Sequence, residues 1–241
     1  MKAPIPTNEA ERLAALKEYH ILDTEAEQSY DDITALAAHI CEVPIALISL
    51  VDEARQWFKS KVGIAQQQTP REIAFCAYAI LQHEPFIVRD ALKDRRFVDN
   101  PMVTDEPHIR FYAGFPLVNP EGLALGTLCV IDRQPRQLSP EQEKVMRALA
   151  RQVMALLEFR RVSARLAEAL DQVKTLQALL PICAWCKRIR DDEGYWSQVE
   201  AYFHKYTGVD FSHGICPECL EKMRSQLLRK SSAAETAHPK T

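Results

Sequence analysis

Apolar residues recur at helical spacing twice near the start of the chain. Asn8 to Tyr19 carries Leu13 and Leu16 among smaller apolar residues, and Tyr30 to Cys41 carries Ile33, Leu36, Ala37 and Ile40. Each stretch predicts a helix with one face turned to a core. The pattern then changes to strand. Pro44 to Val51 reads PIALISLV, a dense β-branched and leucine run expected to be buried. Arg55 to Val62 (RQWFKSKV) is its expected hairpin partner across Asp52-Glu53-Ala54. Ile73 to Leu81 predicts a short helix, Phe86 to Val88 a short strand, and Lys93 to His108 a long loop. Tyr112 to Val118 and Leu123 to Ile131 predict a second hairpin across Asn119-Pro120-Glu121-Gly122. Hairpins with helices at the sequence ends indicate an α+β domain built on an antiparallel sheet.

Ser139-Pro140-Glu141-Gln142 has the form of a capping box with Pro in the first turn. Neither Gly nor Pro follows until Pro181, so a helix of about 40 residues, roughly 60 Å long, is expected. Its second half carries an apolar 4-3 repeat: Ala155, Phe159, Val162, Leu166, Ala169, Val173, Leu176 and Leu180. Arg160, Arg161, Arg165, Glu168, Asp171 and Lys174 lie off that seam. A period of 3.5 asks for a partner helix, most simply the same helix of a second chain in a homodimeric coiled coil. The alternative is that this face packs on the domain's own sheet.

Residues 181–226 hold four of the seven cysteines, as Cys183/Cys186 and Cys216/Cys219, two C-x-x-C pairs. Such pairs supply the four soft ligands that Zn²⁺ prefers, so a structural zinc is expected there, with His213 left out of the ligand set. A redox role for Cys216-Pro-Glu-Cys219 is the rival. Between the pairs, Trp196, Val199, Tyr202, Phe203 and Tyr206 suit one short amphipathic helix. Residues 227–241 are expected to be disordered. The domain reading is therefore 1–158, 140–180 for the long helix, 181–226 and the tail.

Composition narrows the function classes. Hydrophobic residues make up 47% of the chain, enough for a full core, and the formal net charge of −3 offers no footprint for nucleic acid. No apolar run approaches the ~20 residues of a membrane span, and the N-terminus lacks a signal-peptide core. A cytoplasmic protein with reduced thiols is expected, which favours metal over disulfide at the paired cysteines. Only seven glycines occur, none in a G-x-G-x-x-G or P-loop arrangement, which argues against those nucleotide sites.

Several strings then occur in order: Asn8-Glu-Ala-Glu-Arg-Leu, Ile21-Leu-Asp-Thr, Val43-Pro-Ile-Ala-Leu-Ile-Ser-Leu-Val-Asp and Arg55-Gln-Trp-Phe-Lys-Ser. Thr69-Pro-Arg-Glu, Phe75-Cys-Ala-Tyr-Ala-Ile and Arg96-Phe-Val-Asp-Asn-Pro follow. Ile109-Arg-Phe-Tyr-Ala-Gly, Leu125-Gly-Thr-Leu-Cys-Val-Ile-Asp and Leu138-Ser-Pro-Glu-Gln complete the series. Together they resemble a bacterial GAF domain, of the subgroup placed ahead of sensor kinases and diguanylate cyclases, over Pro6 to Leu157. The resemblance implies an antiparallel sheet flanked by helices, dimerisation through terminal helices and a small-molecule pocket on one sheet face. Cyclic nucleotides and tetrapyrroles are among the ligands of such domains; the ligand here is unknown. The C-terminal string from Leu180-Pro-Ile-Cys to Cys216-Pro-Glu-Cys resembles a cysteine module found at the ends of bacterial sensory proteins.

On that reading the candidate ligand surface is Trp57, Phe75, Cys76, Phe97, Asp99, Asn100, His108, Arg110, Phe111, Tyr112 and Cys129. Arg110 and His108 would meet a polar or anionic ligand, and the aromatics would stack. The plainer reading is that Trp57, Phe75, Phe111 and Cys129 fill the core. Helix-terminal polarisation is expected to lower the Cys76 thiol. No GG(D/E)EF string, kinase ATP site or phosphodiesterase signature occurs in these 241 residues. The expected function is therefore a non-enzymatic sensor that relays ligand binding through a dimeric coiled coil to the zinc module, reporting to a separate kinase or cyclase. The alternative is a GAF-fold thiol redox enzyme, similar to free methionine-sulfoxide reductases, using Cys76 and Cys129.

Overall fold

The computed structural model describes residues 2–177 and 180–225, with backbone alone over 173–177. These residues divide after Leu170 into two compact units. The expected disordered tail, 227–241, lies outside the described residues.

In the first unit, helices α1 (Glu9–Glu18) and α2 (Gln28–Cys41) precede strands β1 (Ile45–Val51), β2 (Arg55–Val62) and β3 (Gln68–Pro70). A 3-10 turn, Arg71–Ile73, leads to the four-residue helix α3 (Cys76–Ala79), then β4 (Phe86–Val88) and helix α4 (Pro101–Thr104). Strands β5 (Phe111–Val118) and β6 (Ala124–Asp132) follow, and the long helix α5 (Pro140–Gln177) ends the series. The six strands form one antiparallel sheet in the order β3-β2-β1-β6-β5-β4. An α+β fold with flanking helices is thus observed. Both hairpins form where the alternation placed them, and Asn119 Oδ1 accepts from Leu123 N at 2.7 Å to close the second turn.

Helix α5 starts at its capping box. Ser139 Oγ accepts from Gln142 N at 3.2 Å, and Gln142 Oε1 accepts from Ser139 N at 2.9 Å. Two expectations need correction. Ile73 to Leu81 does not form one helix, because Ala74 adopts an extended backbone that separates the 3-10 turn from α3. The Lys93–His108 loop contains α4, capped by Asn100 Oδ1 accepting from Met102 N at 2.9 Å.

The sheet separates two cores. On one face α1, α2 and α5 bury Leu16, Tyr19, Ile33, Ala37, Met146, Val153 and Leu157 against Ile48, Leu128 and Val130. On the other, α3 and the segments around β4 and α4 bury Phe75, Ile80, Phe86, Phe97 and Val103 against Leu47, Phe58, Tyr112 and Cys129.

The apolar seam of α5 does not pack on the sheet. Val153, Leu157 and Arg161 face the domain, whereas Ala155, Phe159, Val162, Leu166 and Ala169 are exposed, Phe159 at 73%. Val173 and Leu176 lie where no side chain is described. Arginines beside the seam tie α5 to the rest of the unit. Arg161 reaches Glu158 at 2.8 Å and Glu121 at 3.1 Å, Arg165 reaches Glu18 at 2.6 Å, and Arg160 reaches Glu27 at 2.9 Å.

The second unit holds a hairpin of β7 (Ile189–Arg190) and β8 (Trp196–Ser197), then helix α6 (Val199–Thr207). Trp196 therefore sits on a strand rather than on the expected helix. That helix does carry Val199, Tyr202, Phe203 and Tyr206. Gly208 ends it with φ +70, the left-handed conformation that glycine adopts without penalty.

Candidate functional site

Strand parity decides which candidate residues share a site. Successive side chains on a strand point to opposite faces, so the neighbours Phe111 and Tyr112 cannot line one pocket. Tyr112 faces α3, while Phe111 and Trp57 are buried on the face covered by α1, α2 and α5. The proposed ligand surface is thereby split. Phe75, Cys76, Phe97, Tyr112 and Cys129 come together; Trp57 and Phe111 belong to the other core.

The face beneath α3 is filled rather than hollow. Phe75 and Phe97 stack with ring centroids 3.9 Å apart and planes 7° apart. Tyr78, Phe86 and Tyr112 pack around them at 5.0–6.2 Å. The Arg96 guanidinium lies 4.7 Å from the Phe86 ring centroid and 5.5 Å from that of Phe97, which caps the cluster with a cation. Arg96 lies in the stretch expected to be a long loop; in the fold it pairs with Asp94 at 2.6 Å and covers aromatic rings.

The polar candidates nearby serve structure. Asn100 is buried; it caps α4 and donates to Ile73 O at 2.9 Å, tying α4 to the 3-10 turn. Arg110 donates to Val103 O at 2.8 Å and Ile109 O at 3.1 Å, so its guanidinium is used on backbone carbonyls. His108 and Asp99 are exposed, and His108 has a left-handed backbone at φ +59. None of these four joins the aromatic group. A cleft of about 230 Å³ opens between Ile64, Thr69, Ile73, Met102 and Pro107, next to the Asn100 tie. Others of about 250 and 390 Å³ are lined by residues away from the expected pocket, such as His83 and Arg147, or Lys2 and Glu72.

At the centre of the filled face sits a polar cluster that the sequence did not reveal as one. Cys76 Sγ and Cys129 Sγ are 3.9 Å apart. Thr127 Oγ1 donates to Cys76 Sγ at 3.0 Å, and Tyr112 Oη donates to it at 3.2 Å. Ser49 lies opposite Thr127 in the β1–β6 register, and its buried Oγ has no hydrogen-bond partner of ordinary geometry. Gly114 makes room for the phenol, because a Cβ there would meet Tyr112 Oη at 2.2 Å. Burial pushes the Cys76 thiol up, but the neighbouring Cys129, Ser49, Thr127 and Tyr112 groups more than offset it and hold the thiol to about 7. Burial and the adjacent Cys76 drive the Cys129 and Tyr112 groups well up. The lowering at Cys76 was expected from a helix terminus. Helix α3 has four residues, and the side-chain donors account for the effect instead. Thr127 and Cys129 are two residues apart on β6, as are Tyr112 and Gly114 on β5; that spacing is the signal that could have grouped them.

In the second unit, Cys186 N donates to Cys183 Sγ at 3.4 Å, and this together with other backbone donors lowers the Cys183 thiol. Cys216 is lowered in the same way, first by Cys219 N. The quartet does not close as expected. Among the described residues, no three His, Cys, Asp or Glu side chains gather into a group that could hold a metal. Each pair makes local contacts of its own, and the zinc expectation finds no support among the described residues.

The family profile of the GAF domain matches residues 25–157, more than half of the chain. This chain belongs to the GAF-domain family. The chain is also 48% identical over 153 residues to a cyclic di-GMP phosphodiesterase of Pseudomonas aeruginosa, an alignment covering 63% of this chain. The chain spans about a quarter, 26%, of the length of that relative. Among solved structures, the GAF domain of a phosphoenolpyruvate-protein phosphotransferase from Coxiella burnetii matches with a TM-score of 0.50 at 14% identity. It covers 66% of this chain and 97% of that one. The corresponding Acinetobacter GAF domain matches at 0.47 and 18%, covering 64% and 98%. The Coxiella likeness shows the fold alone. One expectation is overturned here: a relative 48% identical to this chain over 153 residues is named as an enzyme, so the non-enzymatic reading of the chain does not stand. Among the described residues, no helix is long and apolar enough to cross a membrane.

Proposed function

We propose that this chain is a sensory GAF protein working in cyclic di-GMP signalling, with α5 as the element through which its state is passed on. The observation that carries the reading is the 48% identity over 153 residues with a cyclic di-GMP phosphodiesterase. Likeness at that level across the matched block favours a shared regulatory task, while the relative's catalysis is named for a protein about four times as long as that block. The filled aromatic face favours a small effector over a bulky tetrapyrrole seated beneath α3.

The exposed stripe of Phe159, Val162, Leu166 and Ala169 supports a two-chain seam. Its positions alternate by four and three residues, the geometry in which knobs of one helix enter holes of another. A signal passes only if the effector binds two arrangements of this seam with different affinity.

Grafting tests the proposal. The 153-residue block of the Pseudomonas phosphodiesterase is replaced by the matching block of this chain, and hydrolysis of cyclic di-GMP is measured. The proposal expects hydrolysis within about threefold of the unmodified enzyme. Loss of hydrolysis by a graft that still folds, as judged by circular dichroism, refutes it. Native mass spectrometry of the full chain tests the seam: a dimer is expected, becoming monomer in Val162→Glu/Leu166→Glu, and a monomeric unmodified chain removes the seam from the proposal.

A further inference from the structure

We infer that Cys76 and Cys129 form an oxidant-reactive dithiol site that takes a small hydroperoxide and closes to a reversible disulfide. The inference stands on the geometry of the buried cluster and does not rest on the cyclic di-GMP reading. Two thiols 3.9 Å apart need to approach by roughly 2 Å to reach a bonded S–S distance. Their surroundings favour one of them as the attacking group. Thr127 and Tyr112 aim hydroxyl donors at Cys76 Sγ, the arrangement that stabilises a thiolate. At Cys129 burial and the neighbouring Cys76 outweigh what Thr127 and Tyr112 contribute, so it stays a thiol, which suits a partner that acts second. Ser49 adds a buried hydroxyl with no hydrogen bond of ordinary geometry, on the same sheet face and opposite Thr127. An apolar core does not need five polar side chains gathered on one spot, with one hydroxyl left unpaired.

The chemistry balances without a cofactor. Cys76 Sγ attacks one oxygen of the hydroperoxide and the O–O bond breaks. Cys76 becomes a sulfenic acid, and the departing oxygen leaves as water after taking up the proton that Cys76 had released. Cys129 Sγ then attacks the Cys76 sulfur. The S–O bond breaks, and the hydroxide leaves as a second water with the Cys129 proton. Two thiols and one hydrogen peroxide give one disulfide and two waters. A small-molecule dithiol supplies the two electrons for the return.

The fold says which side moves. Cys129 is held by ladders to both β1 and β5, whereas Cys76 sits on a four-residue helix between two turns. Closure therefore draws α3 toward β6 and shears the Phe75–Phe97 stack beside it. Oxidation is thus written into the same face that a ligand would occupy in a hollow domain of this fold.

Peptide mapping of the full chain decides the matter. Trypsin releases residues 72–89 and 111–133, each carrying a single cysteine. After treatment with hydrogen peroxide and alkylation of the unfolded protein, these two peptides are expected linked and 2 Da lighter than their sum, and separated again by dithiothreitol. Cys41, whose thiol burial pushes up to about 11, serves as the buried cysteine that stays reduced. Thr127→Val keeps the shape and removes a donor, and is expected to slow linkage about fivefold. In Cys129→Ser a sulfenic acid at Cys76 is expected, trapped by dimedone. The inference is overturned if both peptides are recovered as alkylated thiols in a sample whose exposed Cys216 and Cys219 are oxidised. It also falls if Cys76 is recovered only as a sulfinic acid beside free Cys129, or if Thr127→Val links at the unmodified rate.

Discussion

The phenol of Tyr112 reaches Cys76 only because residue 114 has no side chain. A Cβ at Gly114 would lie 2.2 Å from Tyr112 Oη and 2.7 Å from Cζ, in a core where neither ring nor strand has room to yield. Gly114→Ala is expected to destabilise the fold by about 1–3 kcal/mol, the usual cost of overpacking. It should also raise the Cys76 thiol, since the Tyr112 donor is displaced. Urea melts and the pH dependence of Cys76 alkylation check the two effects separately. Glu9 makes a different kind of local statement. It accepts from Arg12 at 2.7 Å and from Arg71 at 2.5 Å. Burial pushes its carboxyl up, but the two guanidinium groups outweigh that and hold it to about 2, against 4.5 for the free side chain. Because the folded value is the lower one, this contribution to stability is complete above about pH 4.5 and is lost as pH falls toward 2. Glu9→Gln should flatten that part of the acid-stability profile, measured as denaturation midpoints at pH 5 and pH 3.

Helix α5 is joined to the rest of its unit by apolar packing and by charge together. Arg161 is 8% exposed; it bridges Glu158 and Glu121, and its guanidinium lies 5.1 Å from the Tyr19 ring centroid. Tyr19 Oη donates in turn to Glu158, so Arg161, Glu158 and Tyr19 form one network linking α5 to α1. Removing one member of a buried charge pair leaves the other uncompensated, at a typical cost of about 3–5 kcal/mol, less here because Glu121 is half-exposed. Arg161→Ala is therefore expected to loosen α5 beyond Leu157, seen as faster amide hydrogen exchange over 158–170 with β6 unaffected. Much at this scale was legible in advance. PIALISLV and LGTLCVID are long apolar runs, and the Ser139 box marks its helix without reference to anything distant. Short elements were not: α4, β7 and β8 have two to four residues, too few for a period to show. Arg12 and Lys59 were also hidden, since each sits in a pattern whose polar positions normally face water. In the fold Lys59 Nζ is fully buried, bonded to Thr24 Oγ1, Glu25 O and Glu27 Oε1.

For the molecule as a whole, the sequence reading grouped candidate residues by chemistry, and the fold regrouped them by face. Phe111 and Tyr112 were taken together as aromatic, yet a strand sends them to opposite cores. Cys76 and Cys129 lie 53 residues apart and are paired in the sequence only by the thiol redox alternative; the position of α3 over β6 is what brings them into contact. The zinc expectation came from the spacing of the cysteines and a reducing compartment, and among the described residues no ligand group gathers to support it.

The buried ammonium of Lys59 has a practical consequence for anyone cutting this protein into pieces. The family match begins at residue 25, which invites a fragment starting there. Such a fragment would discard Thr24, one of the three anchors of Lys59, and with it Leu16, Tyr19 and Ile21, each at most 1% exposed. It would also strip Arg165 of Glu18 and Arg161 of the Tyr19 ring. The working unit for expression or crystallisation begins before Glu9, so that α1 travels with the sheet it covers.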